Sequence, residues 1–146
     1  MFELAEITIN YKPIQKLSKQ PAITSSTDAF KIFSDHWGDD LHYKEHCKML
    51  LLSRANKVLG ITTISAGGTS GTVVDPKNVF QTALMANASS IILAHNHPSG
   101  NLKPSTADLQ LTKKMSEAGK FLDLNLLDHL ILAEDCYYSF GDEGLM

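Results

Sequence analysis

Two histidines one residue apart, His95 and His97, close the apolar run Ile91-Ile92-Leu93-Ala94. Alternate residues of an extended strand point to the same side, so this spacing presents two imidazoles to one point in space. Asp108 follows eleven residues after His97. The loop between them, Pro98 to Pro104, is short and bounded by prolines, which keeps the helix that it opens close to the strand end. Two neutral ring nitrogens and one carboxylate form a catalytic zinc set, with the fourth position left to water. Each residue also has a plainer reading. A single histidine on a strand is commonly a surface residue or a satisfied core group. Asp108 stands three residues after Ser105, so the pair resembles a capping box with Asp in place of the usual Glu or Gln. The two readings of Asp108 are compatible, because a helix start can cap itself and still offer an acid.

The elements that must position these groups follow from the pattern of apolar residues. Leu4 to Tyr11 alternates apolar and polar residues and reads as a strand; Pro13 to Ser26 reads as a loop or arm. Ser25 and Thr27 are N-cap candidates for a helix over Asp28 to His36, with Ala29, Ile32 and Phe33 on one face. Glu45 to Ser53 and Lys57 to Ser65 read as strands joined through Ser53-Arg54-Ala55-Asn56. The glycine-rich stretch Gly67-Gly68-Thr69-Ser70-Gly71 reads as a flexible loop and lacks the pattern of a phosphate-binding loop. Asp75-Pro76 marks a helix start, with Val79, Phe80, Ala83 and Leu84 as its inward stripe and an end near Asn87. Ser89 to Ala94 is nearly all apolar, as in a strand covered on both faces. A helix from Ser105 to about Gly119 turns Ala107, Leu111, Met115 and Ala118 inward, and strands follow over Phe121 to Leu127, His129 to Ala133 and Tyr137 to Phe140. Strands alternating with helices specify an α/β class with a mixed sheet. The histidine pair then falls at a strand's C-terminal end, where such folds place their sites.

The chain has 146 residues, the size of one domain with a real core. Its formal net charge is −3, which argues against nucleic acid as the main partner; Lys12, Lys16 and Lys19 read as a solvated segment. The two cysteines, Cys47 and Cys136, form no C-x-x-C pair, and both lie in strand patterns as buried thiols. The start of the chain shows no basic and apolar signal segment, and no apolar run approaches the roughly 20 residues that span a bilayer. A cytoplasmic setting with no membrane partner is therefore expected. His36, His42 and His46 read as surface residues. Zinc deaminases require H-x-E with P-C-x-x-C, and this chain has no C-x-x-C. The contiguous His95-Asn96-His97 shares only its spelling with the HNH nucleases, whose three residues are dispersed.

The run His95-x-His97, seven residues, then Ser105-x-x-Asp108 matches the JAMM motif H-x-H-x7-S-x2-D without a gap. The wider chain resembles the bacterial RadC branch of that JAB/MPN family over roughly residues 25 to 146. The resembling segments are Glu45 to Asn56, Asp75 to Phe80, Ile91 to Gly100, Leu127-Asp128-His129 and Tyr138-Ser139-Phe140. The resemblance implies a single three-layer JAB/MPN domain at 25–146, similar to the cytidine-deaminase fold, preceded by a strand and arm at 1–24. It implies further that the N-terminal helix-hairpin-helix region of longer members is missing here. His95, His97 and Asp108 are then the ligands of Zn2+, Ser105 stabilises an oxyanion, and Glu45 is the general base. The implied activity is metallopeptidase or isopeptidase hydrolysis of a protein or peptide substrate by metal-activated water. Two alternatives stand beside it. One is an accessory role in DNA repair or DNA metabolism, to which the acidic balance gives little support. The other is a catalytically inactive binding module, against which the intact ligand set argues. Asp128-His129 is either a support that orients a ligand histidine or a satisfied structural pair. Asn96 and Ser99 flank the site without an assignable role, and neither the substrate nor the oligomeric state is specified.

Overall fold

Strand β3 (Ser90–Asn96) is buried along its whole length, which explains why its sequence has no polar face. In the computed structural model, which describes residues 1–68 and 73–146, it lies at the centre of a five-stranded sheet. β1 (His46–Leu52) pairs antiparallel on one side of β3 and is itself paired with β2 (Val58–Ala66). β4 (Asn125–Leu132) pairs parallel on the other side and carries β5 (Tyr137–Ser139) at the edge. The order is β2-β1-β3-β4-β5. A parallel neighbour needs a long crossover, and helix α3 (Thr106–Phe121) supplies it.

Residue parity sorts the two faces. Cys47, Met49 and Leu51 of β1 join Ile91 and Leu93 of β3 under α2 (Pro76–Met85) and the end of α3. Leu50, Leu52, Ile92, Ala94, Leu130 and Leu132 pack on the opposite face against Ala29, Phe33 and Trp37 of α1 (Ser26–Asp35) and its continuation. The result is three layers with the mixed sheet between helices, the α/β architecture that the resemblance implies. Each helix starts as its sequence dictates. Ser25 accepts from the Asp28 N–H at 3.3 Å, and Asp75 accepts from the Lys77 N–H at 2.9 Å with Pro76 at the first helical position.

Several sequence expectations are corrected. Leu4 to Tyr11 forms no strand: its side chains are exposed, and the single bridge before α1 among the described residues is Ala22 with Lys57. Alternation marks a segment able to pair, but here its apolar side chains find no buried face to pack on. The two strands expected at Phe121 to Leu127 and His129 to Ala133 are one, β4, with Phe121 ending α3. Its pairing with β3 slips between Ile91 and Ile92, so Leu127 is skipped and Asp128-His129 lies within the strand rather than at a break. Leu84 is exposed on α2, and Ala107 is exposed on α3. The inward ridge of α3 is Asp108, Thr112, Met115 and Gly119, partly polar because half of it faces the site. Gly119 permits this packing, since a Cβ there would run into the Leu124 carbonyl oxygen. Cys47 is buried, but Cys136 is exposed in the turn closed by the Ala133 N–H on the Cys136 carbonyl. His46 is half-buried rather than a surface residue. Of the expected glycine loop, Thr69, Ser70 and Gly71 lie outside the described residues.

Candidate metal centre

The register of β1 and β3 brings the first candidate groups together. Cys47 stands opposite His95, so continuing the antiparallel ladder by two places puts Glu45 opposite His97. Both positions have the parity of His95, which is that of the α3 face. The segment before β1 is held in place from two sides. The Glu45 carbonyl accepts from the Gly67 N–H at 2.8 Å, and the Glu45 N–H donates to the Gly68 carbonyl at 3.3 Å. Asn96, whose side chain has the opposite parity to His95, accepts from the His46 N–H at 2.8 Å and donates to the Leu41 and Lys44 carbonyls at 2.7 and 2.8 Å. The role that Asn96 lacked in sequence is thus a bracket for the segment carrying Glu45. Ser99 is exposed in the loop beyond His97, where its hydroxyl accepts from the Asn101 N–H at 3.3 Å.

Asp108 arrives from the first turn of α3. Its Oδ2 accepts from the Ser105 N–H at 2.8 Å while Ser105 Oγ accepts from the Asp108 N–H at 3.0 Å, a complete capping box. The same carboxylate reaches the histidines, with Oδ1 3.1 Å from His95 Nε2 and Oδ2 3.3 Å from His97 Nε2. The two Nε2 atoms are 3.0 Å apart. Glu45, His95, His97 and Asp108 each offer a ligand atom, and all four atoms lie within 4.8 Å of one another. One geometry therefore completes the cap and still turns the carboxylate to both histidines. Ser105 is exposed, and its cap bond uses a lone pair, which leaves the hydroxyl proton available for donation.

The far sides of the rings set what the near sides can do. His97 Nδ1 is 2.6 Å from the Asn101 carbonyl, which can only accept, so Nδ1 carries the proton and Nε2 is left as a lone pair. His95 Nδ1 is 2.8 Å from His129 Nε2. Two ring nitrogens and a carboxylate thus crowd together as acceptors, an arrangement that calls for a cation between them. The residues present fit a divalent metal of the zinc type: borderline nitrogen donors with hard oxygen donors, on a partly buried surface. Without a metal, a proton takes up part of this demand. The hydrogen bond to Asp108 raises His97 above the ordinary imidazole value, against the lowering effect of its burial. Burial works to raise the Asp108 carboxyl, yet the imidazoles of His95 and His97 beside it hold it far below the usual carboxylate range.

Behind His95 lies a group that the sequence left open. His129 is fully buried, with its ring stacked on Phe140 at 4.8 Å between centroids, and burial first, then the nearby His95, pushes it well below the ordinary imidazole value. Thr112, which sequence reasoning missed, lies 2.6 Å from His129 Nδ1 and donates its hydroxyl proton to the Asp108 carbonyl at 2.8 Å. Its signal was the spacing of four from Asp108, which puts both on one helix face. Asp128 turns the other way. It accepts from the His129 and Gly141 N–H groups and from the Ser139 hydroxyl, pinning β4 to the chain after β5, and burial raises its carboxyl. Asp128 and His129 are therefore separate devices rather than one acid–imidazole pair.

Comparison with known proteins identifies the family. Residues 23–145 match the model of a family described as the RadC-like JAB domain. A UPF0758 protein of Flavobacterium johnsoniae is 49% identical over 132 residues, covering 90% of this chain and 56% of that protein. Another, from Porphyromonas gingivalis, is 39% identical over 135 residues, covering 92% of this chain and 59% of the relative. The chain thus spans between half and three-fifths of the length of these curated relatives. Among the described residues no helix is long and apolar enough to cross a membrane. By the family model, the chain belongs to the RadC-like JAB-domain family.

Proposed function

We propose that this chain is a zinc-dependent amide hydrolase of the JAMM type, acting on a peptide or isopeptide bond of a protein or peptide substrate. The observation that carries this reading is the convergence of Glu45, His95, His97 and Asp108, with ligand atoms within 4.8 Å and the His97 Nε2 lone pair turned inward. His95 and His97 would hold the metal through Nε2, and Asp108 through its carboxylate. When bound, zinc supplies a Lewis acid that acidifies water toward neutral pH and polarises a carbonyl. The Glu45 carboxylate would take a proton from the attacking water and return it to the leaving nitrogen. The Ser105 hydroxyl keeps its proton for an oxyanion that develops only in the transition state. Asn96 maintains the position of Glu45 through the three bonds that fix the start of β1. The free thiols Cys47 and Cys136 suit a reducing cytoplasm.

The test is hydrolysis of a peptide library, including lysine-linked isopeptides, by the zinc-loaded wild type and by Glu45→Gln. Cleavage by the wild type that Glu45→Gln loses by about 100-fold or more, with zinc still bound, supports the reading and the role of Glu45. Equal rates would remove Glu45 from the chemistry. No cleavage by a zinc-loaded wild type would favour an accessory, non-catalytic role, such as one in DNA metabolism.

A further inference from the structure

The hydrogen bonds behind His95 form a closed, directional chain. The Asp108 carbonyl can only accept, so the Thr112 hydroxyl spends its single proton there, at 2.8 Å. Thr112 Oγ1 must then accept from the ring nitrogen 2.6 Å away, which puts a proton on His129 Nδ1. A neutral imidazole has one N–H, so His129 Nε2 is a lone pair. It faces His95 Nδ1 at 2.8 Å and can only accept from it. His95 is thereby left with its proton on Nδ1 and its lone pair on Nε2, the atom turned toward Asp108 and His97. Every group in the chain is at least nine-tenths buried: His95 is 3% exposed, Asp108 8%, Thr112 2% and His129 0%. Water is therefore poorly placed to substitute for a missing partner. The stacked Phe140 ring, tilted only 10° from His129, holds the imidazole in the plane that this chain needs.

We propose that His129, aligned by Thr112, is a positioning residue that sets the tautomer of His95 so that its Nε2 lone pair faces the metal. The chain starts at the backbone of Asp108, itself a proposed ligand, so one helix turn orders both an acid and, through two side chains, an imidazole. Breaking the chain at Thr112 has a directional consequence. With a methyl in place of the hydroxyl, the His129 proton loses its acceptor at Nδ1 and moves to Nε2. The His95 proton is then displaced from Nδ1 to Nε2, where it blocks the metal.

This inference rests on the metal-centre reading, and the test separates the two. Nitrogen-15 NMR of the imidazoles in the metal-free protein at mildly alkaline pH reads the tautomers directly. Zinc affinity is read by competition with a chromophoric chelator. The wild type should show His95 protonated at Nδ1. Thr112→Val should shift His95 toward the Nε2–H form and weaken zinc binding about 10- to 100-fold, the range for loss of a ligand's outer hydrogen-bond partner. Thr112→Ser, which restores the hydroxyl, should restore both readouts, which a purely steric role would not require. His129→Phe should match Thr112→Val if it folds, and the threonine pair decides the question if it does not. A His95 already protonated at Nε2 in the wild type, or a folded Thr112→Val with wild-type tautomer and affinity, would overturn the proposal. A wild type that binds no zinc but shows His95 protonated at Nδ1 would leave the relay standing and remove the metal reading.

Discussion

Asp108 has two tasks in this structure, capping α3 and offering a carboxylate to the site, and substitution can separate them. Asp108→Ala removes both. It loses the bond from the Ser105 N–H, made at 2.8 Å, and a cap interaction of this kind is worth about 1 kcal/mol. For a domain of this size that is a fall of about 2–4 °C in the metal-free Tm. Asp108→Asn keeps an amide oxygen for the cap but loses the charge that faces His95 Nε2 at 3.1 Å and His97 Nε2 at 3.3 Å. Its metal-free Tm should therefore stay closer to wild type than that of the alanine variant. Zinc should separate the two roles. A ligand present at 100 times its Kd stabilises the fold by about 2.7 kcal/mol, which here is a rise of about 5–11 °C. The wild type should show that rise. A lost ligand should cost at least the ~100-fold typical of a lost outer partner, about 3 kcal/mol, so at the same zinc concentration both variants should show almost none. The assay is thermal unfolding followed by circular dichroism, with zinc and with a chelator. A full zinc response in Asp108→Asn would refute the reasoning and reduce Asp108 to a cap.

Metal affinity should rise with pH. His97 is raised above its ordinary 6.5, so in the metal-free protein its pairing with Asp108 contributes fully below that value and is lost as pH climbs through the raised one. Asp108 is lowered from 3.8, so its contribution is present above that value and is lost on strong acidification. The metal-free site is thus best held between these two ordinary values. The zinc-induced rise in Tm should grow as pH passes upward through the imidazole range; a rise independent of pH there would count against His97 as a ligand. Of the two thiols, only exposed Cys136 should react with iodoacetamide in the native state, because burial pushes the Cys47 thiol up to about 12; mass spectrometry showing Cys47 labelled without unfolding would contradict its packing. Asn96→Ala should destabilise by about 3 kcal/mol, since it orphans the His46 N–H and the Leu41 and Lys44 carbonyls at roughly 1–3 kcal/mol for each group left buried. A loss under about 1 kcal/mol in a denaturant titration would mean that water takes over those bonds.

What the sequence disclosed depended on how local each signal was. His95 and His97 could be paired from a two-residue period alone, and Asp108 from its place in a first helical turn, because both relations lie within one element and its adjoining loop. Glu45 carried no local mark. It reaches the site only because β1 runs beside β3 in the register Cys47 to His95, a pairing between residues 48 apart. The link from Thr112 to His129 to His95 bridges 17 and then 34 positions, so periodicity had no access to it. Periodicity also misled where the buried face is polar. On α3 the inward ridge passes through Asp108 and Thr112, so Ala107 faces out, while Leu111, Met115 and Ala118 of the expected stripe pack on the core. Leu4 to Tyr11 shows the converse, an alternating segment whose apolar side chains stay exposed.

The central claim is that His95 of β3, His97 just beyond it and Asp108 of α3 hold one metal ion beside Glu45. Anomalous diffraction at the zinc edge, from crystals of the zinc-loaded protein, tests it most directly. The account predicts a single strong peak about 2.0–2.2 Å from His95 Nε2, His97 Nε2 and an Asp108 carboxylate oxygen. Zinc bound elsewhere, or no peak between those three residues, would contradict it.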